Sequence, residues 1–317
     1  MILKKNKLMR VLISSYHMNL VLSRYSKILK KNKIKIDKII RNPSVKENEL
    51  LGIIHKYDGV ICSDDEFTEK VLKNAKKLKV ISKWGTGIDS IDSNFAKKKG
   101  IKIFNSPGAF TKGVAQYALG VILNLTRKIS ENNQSVKNGK WEKFQGINIE
   151  NKKVGIIGLG KIGSQLTKYL KNFNVILCGN DKKKNVCSKF KKKGIKILSL
   201  NKIFSYCDII VICVDLNKSS YHLIKKGHLM KLNKNKILVN VSRGPVVDNM
   251  SLLTAIKKRN FQIGFDVFEK EPINKKSLKI LRNRSSILSS HNAFNTKEEV
   301  DFVHENTMQN LLKGLKN

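Results

Sequence analysis

The sequence predicts an α/β protein with two doubly wound parallel sheets, one in each of two domains. Three observations predict this fold class. Short apolar runs alternate with helical stretches over about the first hundred residues, a long amphipathic run begins at Thr111, and the alternation resumes after Lys153. Strands that alternate with helices form parallel sheets, because each helix carries the chain back to the start of the next strand.

The first series of elements ends near Pro107 and Gly108, which interrupt regular structure. The amphipathic run at 111–129 is long enough for a helix of about five turns, so the domain boundary is placed before it. Within the first series, strands are predicted at 9–14, 57–62, 80–82 and 102–104, and helices at 20–33 and 66–78.

The second series contains six apolar runs of strand type, most of them separated by helical stretches. This pattern is typical of a doubly wound parallel sheet. Strands are predicted at 154–157, 175–177, 209–213, 237–241, 262–265 and 286–288, and a last helix at 298–315.

Composition excludes several classes of protein. Glycine (20), proline (4) and cysteine (5) are too few for collagen-like or disulfide-scaffold chains. No apolar stretch is long enough to cross a membrane, and no apolar run follows the basic N-terminus, so neither a membrane span nor a secretory signal is expected. The five cysteines form no CxxC pair. They predict reduced thiols and a cytoplasmic protein.

The net charge of +39, from 63 Lys and Arg against 24 Asp and Glu, raises a nucleic-acid hypothesis. The lysines are spread over nearly every segment, however, and Asn and Ile are abundant while Arg is sparse. We therefore attribute the charge to an AT-rich coding bias and expect no specific nucleic-acid partner.

A glycine motif joins the first strand of the second series to the helix after it. Residues 154–163 read VGIIGLGKIG. In this motif Gly158 makes the tight turn, Gly160 lets the backbone approach a pyrophosphate, and Gly163 lets the helix pack on the strand. Three ordinary turn glycines are the alternative. Because strand and helix flank the motif, and the acidic Asp181 follows at the end of the next strand, a Rossmann dinucleotide-binding domain is favoured.

Asp181 predicts NAD rather than NADP, because a carboxylate binds the ribose 2′-hydroxyl and repels a 2′-phosphate. Lys182, Lys183 and Lys184 could instead pair with that phosphate, but we interpret them as part of the general lysine excess. The predicted cofactor-binding residues are Gly158, Gly160, Lys161, Ile162, Gly163, Asp181 and Asp266.

Four charged residues follow predicted strands of the second series: Arg243, Asp266, Glu271 and His291. Ligands of open parallel sheets bind beyond the carboxyl ends of the strands. Singly, each residue could be a surface charge, a turn former or a helix-entry residue. Together, beside a predicted dinucleotide site, they favour a catalytic group.

Hydride transfer to a 2-keto acid explains this combination. The carbonyl oxygen needs a proton donor, and a histidine bonded to a carboxylate is more often protonated near neutral pH. The substrate carboxylate needs a cation, and a guanidinium can grip it with two hydrogen bonds. We therefore predict Arg243, Glu271 and His291 as the catalytic residues.

These motifs resemble the D-isomer-specific 2-hydroxyacid dehydrogenases, which include phosphoglycerate dehydrogenase and glyoxylate/hydroxypyruvate reductase. The resemblance extends from about Tyr57 to His291. Its blocks are KWGTGIDSID (83–92), NSPGAFTKGVAQYALGVIL (105–123), VGIIGLGKIG (154–163), LVNVSRGPVVD (238–248), GFDVFEKEP (264–272) and the region of His291.

The resemblance implies a role for each matching residue. Arg243 would bind the substrate, Glu271 and His291 would be the acid–base pair, and Asp266 would lie near the nicotinamide. Backbone amides around Thr86 and Gly87 would receive the substrate carboxylate.

The resemblance also implies an architecture, in which residues 1–104 and 291–317 form a smaller, flavodoxin-like substrate domain. Residues 105–290 would be an NAD-binding Rossmann domain inserted into it. The implied assembly is a homodimer formed through the cofactor domain, with the 111–129 helix near the contact.

Three features of the sequence bear on the identity of the substrate. The segment SSHNAFNT around His291, Gln116 and the acidic run of Asp64, Asp65 and Glu66 all depart from common family patterns. Phosphoglycerate dehydrogenase-like activity is the leading specific candidate. A non-catalytic NAD(H)-sensing protein on the same scaffold is the alternative.

Several other residues are given structural or neutral roles. Asp248 is expected to cap the helix that follows it, Trp141 to pack, and Trp84 either to pack or to line a cleft. The remaining histidines show no metal-ligand spacing with Cys or acidic residues, and no metal site is expected. Surface or loop positions are predicted for His17, His55, His222, His228 and His304.

Overall fold

The computed structural model describes residues 8–40, 44–282 and 286–316. The chain divides into two compact units, one made of Met1–Phe110 with Lys297–Asn317 and the other of Thr111–Thr296. Both junctions lie a few residues beyond the boundaries expected at 104 and 290. As a result, His291 belongs to the same unit as the other charged residues at the strand ends.

The first unit contains a parallel sheet with the strand order β2-β1-β3-β4-β5. This is the flavodoxin-like order, which confirms the fold class expected for this part of the chain. The strands are β1 (Met9–Ile13), β2 (Ile34–Lys38), β3 (Gly59–Cys62), β4 (Val80–Lys83) and β5 (Lys102–Phe104).

Short helices and the C-terminal helix cover this sheet. They are α1 (Tyr16–Leu20), α2 (Ser26–Lys31), α3 (Glu47–Leu51), α4 (Glu69–Asn74), α5 (Ser93–Lys98) and, from the end of the chain, α14 (Lys297–Lys316). Helix α14 lies very close to β4: a Cβ atom at Gly314 would come within 2.3 Å of a Val80 methyl group. Any side chain at 314 would therefore push the helix away from the sheet.

The second unit contains a parallel sheet with the order β12-β11-β10-β9-β6-β7-β8. Counted from its own first strand, this is the Rossmann order 3-2-1-4-5-6 with one further strand. The strands are β6 (Lys153–Ile157), β7 (Ile176–Asn180), β8 (Lys196–Ile197), β9 (Ile209–Ile212), β10 (Ile237–Asn240), β11 (Gln262–Phe265) and β12 (Ser286–Leu288).

The helices of the second unit are α6 (Thr111–Arg127), α7 (Ile129–Lys137), α8 (Lys161–Lys171), α9 (Lys184–Lys191), α10 (Leu200–Tyr206), α11 (Lys226–Leu229), α12 (Asn249–Arg259) and α13 (Lys275–Leu281). The predicted helix at 111–129 ends earlier, because Lys128 adopts a left-handed conformation with φ 57° and starts α7 in a new direction. Asp248 caps α12 as expected, accepting the amide of Ser251 at 2.9 Å. No helix in the described part of the chain has the length and apolarity to cross a bilayer.

Each unit has its own apolar core. In the first unit, fully buried side chains such as Phe67, Leu72 and Ile81 pack between sheet and helices. In the second, Phe204, Leu238 and Phe261 belong to a larger cluster. Burial of this kind contributes about 25 cal/mol per Å² of apolar surface removed from water.

The exposure of three side chains tests the roles that were predicted for them: His304 and Trp84 in the first unit, and Trp141 in the second. His304 is not a surface residue: it lies in α14 and is 4% exposed. Trp84 packs rather than lining open space, with His17 stacked on it at 4.3 Å and His304 at 5.6 Å between ring centroids. Trp141 does not pack, because it is 85% exposed. Helical spacing would have placed His304 on the buried face of α14.

Burial lowers the pKa of His304 below the ordinary value of 6.5, and it lowers the pKa of His17 in the same direction. As the pH falls through the ordinary value of about 6.5, the unfolded chain therefore binds protons at these two imidazoles more readily than the folded chain does. The free energy of unfolding should fall as the pH drops from about 7 to 5. His304→Gln should make this dependence shallower in denaturant titrations. An unchanged slope for His304→Gln would contradict the assignment.

Candidate active site

The glycine motif makes a turn that only glycine can make. Gly158 follows β6 with φ 92°, and a Cβ atom there would lie 2.8 Å from the carbonyl oxygen of Cys213. A Cβ atom at Gly163 would lie 2.0 Å from the carbonyl oxygen of Gly158. The first turn of α8 is therefore pressed directly against the strand–helix turn.

Gly160 differs from its two neighbours in the motif. It is the N-cap of α8, with φ −68°, and a Cβ atom there would meet nothing within 4 Å. The chain itself gives no steric reason for glycine at this position. Since Lys161, Ile162 and Gly163 form the first turn of α8, the space over Gly160 lies where backbone amides and the helix dipole favour an anion. These residues fit a dinucleotide pyrophosphate.

Asp181 lies immediately after β7 and is bonded to the glycine turn. One carboxylate oxygen accepts the amide of Leu159 at 2.9 Å, and the other accepts the amide of Lys183 at 2.9 Å. The ammonium group of Lys182 contacts the hydroxyl of Ser219 at 3.1 Å. Asp181 is thus held beside the glycine motif, where a dinucleotide site needs a carboxylate to bind the ribose hydroxyls.

His291 and Glu271 are in direct contact. Nδ1 of His291 lies 2.9 Å from Oε2 of Glu271, and the other carboxylate oxygen accepts the amide of Phe268 at 2.9 Å. Both side chains are partly exposed, at 27% and 37%. His291 has a left-handed backbone, with φ 56°, which histidine adopts more readily than most residues.

Asp266 fixes the loop that carries His291. Its side chain is 3% exposed, and its carboxylate accepts the hydroxyl of Ser289 at 2.5 Å and the amides of Asn292 and Ala293 at 2.8 and 3.1 Å. Its carbonyl oxygen accepts the amide of His291 at 2.8 Å. The structure thus places Asp266 beneath the His291 loop, and its expected role toward the nicotinamide stays a prediction.

Arg243 lies beyond the carboxyl end of β10. Its carbonyl oxygen accepts the side-chain amide of Asn240 at 3.2 Å, and its guanidinium donates to the carbonyl of Ser242 at 3.0 Å. The next residue, Gly244, has no room for a side chain, since a Cβ atom would lie 2.0 Å from the carbonyl oxygen of Phe268. The turn that carries Arg243 therefore packs on the segment that leads to Glu271.

Thr86 and Gly87 lie in the first unit, in the loop after β4. Gly85 precedes them with φ 126°. The carbonyl of Thr86 accepts the side-chain amide of Asn105 at 2.6 Å, and the carbonyl of Gly85 accepts the amide of Ser106 at 2.8 Å. These bonds hold the loop in place at the carboxyl edge of its sheet, where parallel sheets bind ligands.

Two features of the second unit were missed from the sequence. Ser289 is a partner of Asp266, as described above, and it also bonds the hydroxyl of Tyr117, whose pKa is raised by burial. His222, predicted as a surface or loop residue, lies in a turn and is partly exposed, and its ring forms a 2.9 Å contact with Glu269 that was not predicted. The run FEKE, in which one lysine separates two glutamates, was a signal that two carboxylates share this loop. No group of three or more His, Cys, Asp or Glu suited to a metal ion occurs in the described ranges.

Similarity to known proteins defines the family of this chain. Residues 119–293 match the profile described as "D-isomer specific 2-hydroxyacid dehydrogenase, NAD binding domain". The glyoxylate reductase of Thermofilum pendens is 33% identical over 84% of this chain and 81% of its own length. The chain belongs to the D-isomer-specific 2-hydroxyacid dehydrogenase family, a family of oxidoreductases, and its second unit holds the family's NAD-binding domain.

The chain is also similar to a longer enzyme and to a solved structure that is bound to NAD. The D-3-phosphoglycerate dehydrogenase of Archaeoglobus fulgidus is 33% identical over 84% of this chain, but the match spans only 52% of that enzyme. The structure of D-lactate dehydrogenase from Aquifex aeolicus, complexed with NAD and lactic acid, has a TM-score of 0.83 over 97% of both chains at 24% identity. The second likeness confirms the fold of both units.

The different surroundings of Gly160 and Gly163 give a paired prediction. Gly163→Ala should lower the free energy of unfolding by about 3 kcal/mol, since its Cβ atom would overlap the Gly158 carbonyl. Gly160→Ala should change stability by less than about 1 kcal/mol, yet raise the NADH dissociation constant about 10-fold or more. Denaturant titration and NADH fluorescence titration measure the two effects. Normal NADH binding by Gly160→Ala would remove the pyrophosphate assignment.

Asp181 should make NADH the preferred cofactor over NADPH. Asp181→Ser should narrow the preference by about 10-fold or more, because the charge that repels a 2′-phosphate is lost. NADH should also bind less tightly, since the bond to the Leu159 amide is lost. Titration of both cofactors tests this, with Lys182→Ala as the matched variant. Tighter native binding of NADPH, weakened by Lys182→Ala, would show that the lysines hold a phosphate.

Proposed function

We propose that this chain is an NAD-dependent dehydrogenase that interconverts a 2-keto acid and a D-2-hydroxy acid. His291 and Glu271 are the acid–base pair, and Arg243 binds the substrate carboxylate. The observation that carries the proposal is the 2.9 Å contact between His291 and Glu271, in the same unit as the dinucleotide motif. The family and the names of the relatives support it.

The chemistry assigned to the chain is proton transfer and charge stabilisation. NADH, when bound, supplies the hydride. As negative charge grows on the carbonyl oxygen, the imidazolium of His291 donates a proton to it; in the reverse direction the neutral ring accepts that proton. The carboxylate of Glu271 stabilises the charged ring and fixes its orientation. The guanidinium of Arg243 binds the carboxylate and polarises the neighbouring carbonyl.

The remaining site residues have supporting roles in the proposal. Asp266 holds the His291 loop through Ser289 and the amides described above, and we retain its expected position near the nicotinamide. Backbone amides at Thr86 and Gly87, in the first unit, contribute to binding of the substrate carboxylate. The ribose is bound by Asp181.

For the substrate, phosphoglycerate dehydrogenase-like activity remains the leading specific candidate, with glyoxylate and hydroxypyruvate as the competing 2-keto acids. A phosphorylated substrate needs a cation for its phosphate. In the first unit, the ammonium group of Lys83 is buried and forms an ion pair with Asp64 at 2.7 Å. Because Asp64 already neutralises this cation, Lys83 does not favour a phosphorylated substrate. A panel of keto acids with and without phosphate distinguishes these substrates.

We also propose a cytoplasmic homodimer formed through the second unit. The five cysteines are all free thiols, as expected in a reducing compartment. The support for a dimer is a set of exposed apolar side chains in and after α7, which water would otherwise contact. They are Ile129, Val136, Trp141, Phe144 and Ile147.

Replacement of the proton donor tests the proposal. His291→Ala should reduce the turnover of keto acid by about 10²–10⁴-fold and leave NADH binding nearly intact, because a general acid acts only in the chemical step. Glu271→Gln should shift the fall in reduction rate with rising pH to lower pH, because the imidazolium loses its anionic partner. NADH oxidation across pH, with cofactor binding followed separately, measures both. Arg243→Lys should impair turnover and keto-acid affinity together.

Two results would contradict the assignment. Native protein that binds NADH but turns over no keto acid of the panel would favour the NAD(H)-sensing alternative. A His291→Ala variant as fast as the native protein would remove His291 from the chemistry. The variant His228→Gln, which changes a histidine elsewhere in the same unit, is the control for effects of substitution alone.

A further inference from the structure

A second histidine–carboxylate pair lies in the unit that holds His291 and Glu271. Nε2 of His222 is 2.9 Å from Oε1 of Glu269, and each side chain is 28% exposed. The other carboxylate oxygen of Glu269 accepts the amide of Asn249 at 2.9 Å, at the start of α12. Glu269 therefore joins its own loop to two other segments of the chain.

The His222–Glu269 pair connects the turn that carries Arg243 with the segment that carries Glu271. The amide of His222 donates to the carbonyl of Pro245 at 2.8 Å, in the turn that follows Arg243. A Cβ atom at Gly244 would lie 2.3 Å from the amide nitrogen of Glu269. The two backbones are thus in direct contact, and the His222–Glu269 pair bonds across that contact.

Glu271 depends on side-chain bonds for its position. Asp266 begins the segment 266–274 and makes backbone hydrogen bonds to Asn240 and His291. Residues 267–274, which include Glu271, form neither helix nor strand. The carboxylate of Glu271 accepts the Phe268 amide, within the segment, and contacts His291. The bonds of Glu269 to His222 and Asn249 tie the same segment to the rest of the unit.

We infer that Glu269 and His222 are positioning residues for the acid–base pair and for Arg243. They hold the 266–274 segment against the 243–249 turn, and so set the place of Glu271 and, through it, of the His291 ring. This inference rests on the proposed function. Neither residue takes part in the chemical step; each acts through Glu271 and Arg243, whose placement to within about 1 Å governs the rate.

The substitutions Glu269→Ala and His222→Asn test the inference in the full chain. Asparagine suits position 222, where φ is 48°, because it tolerates a left-handed backbone and is too short to reach Glu269. Each variant should lower kcat by about 10-fold and raise the KM for the keto acid. The NADH dissociation constant should stay within about 2-fold of the native value. Glu269→Gln, which keeps an acceptor for the Asn249 amide, should recover part of the loss, and His228→Gln should match the native protein.

A double-mutant cycle separates positioning from general destabilisation. In a Glu271→Gln background, Glu269→Ala should cost less than about 2-fold in kcat, because the contact it positions is already impaired. Effects that multiply in the double variant, or a kcat unchanged by both single variants, would overturn the inference. If Glu269→Ala fails to fold, His222→Asn gives the same comparison.

Histidine NMR provides a readout that needs no turnover. Glu269→Ala should displace the ring resonance of His291 and move its titration midpoint in the same direction as Glu271→Gln, whereas His228→Gln should move neither. A His291 resonance unaffected by Glu269→Ala would overturn the inference even in an active enzyme. A displaced resonance in a protein that turns over no keto acid would support the positioning role and count against the proposed function alone.

Discussion

The buried carboxylate of Asp266 is the interaction on which the arrangement of the second unit's charged residues depends. A carboxylate that is 3% exposed must be bonded on both oxygens, since an unpaired buried charge is very costly. Its partners, Ser289, Asn292 and Ala293, all belong to the loop after β12. Because that loop must stay closed over the carboxylate, His291 is held in a left-handed backbone conformation beside Glu271. The partly exposed His291–Glu271 pair is thus held in place by the buried bonds of Asp266.

Much of this fold could be predicted from the sequence, because apolar runs mark buried parallel strands. The strands at Lys102–Phe104, Gln262–Phe265 and Ser286–Leu288 have the predicted bounds. The strand Ile34–Lys38 was missed, because its apolar residues alternate with charged ones at the edge of the sheet. Helix α4 begins at Glu69 rather than 66, because Asp65 and Glu66 bond the amides of Val45 and Glu47 instead. Local propensity does not contain such tertiary bonds.

In the candidate site, too, the sequence predicted individual residues but not the tertiary contacts between them. The residue types and their places after strands predicted Arg243, Glu271 and His291, and the structure brings two of these into contact. The His222–Glu269 contact joins residues far apart in the chain, so no spacing rule could reveal it. The glycine motif predicted different roles for Gly160 and Gly163, and their surroundings differ in the same sense. Gly160 faces open space, whereas Gly163 faces a carbonyl oxygen.

The close fit of Gly314 against Val80 has a consequence for the order of folding. Residues 297–317 complete the first unit, so the sheet formed from residues 9–104 lacks its covering helix α14 until the whole inserted second unit has been translated. The inserted unit, by contrast, has all of its strands once residue 296 has left the ribosome, and domains generally fold as units while synthesis proceeds. While the second unit is translated, the face of the first sheet that α14 later covers therefore keeps its apolar surface exposed. The synthesis of α14 thus sets the time at which the first unit can complete its fold.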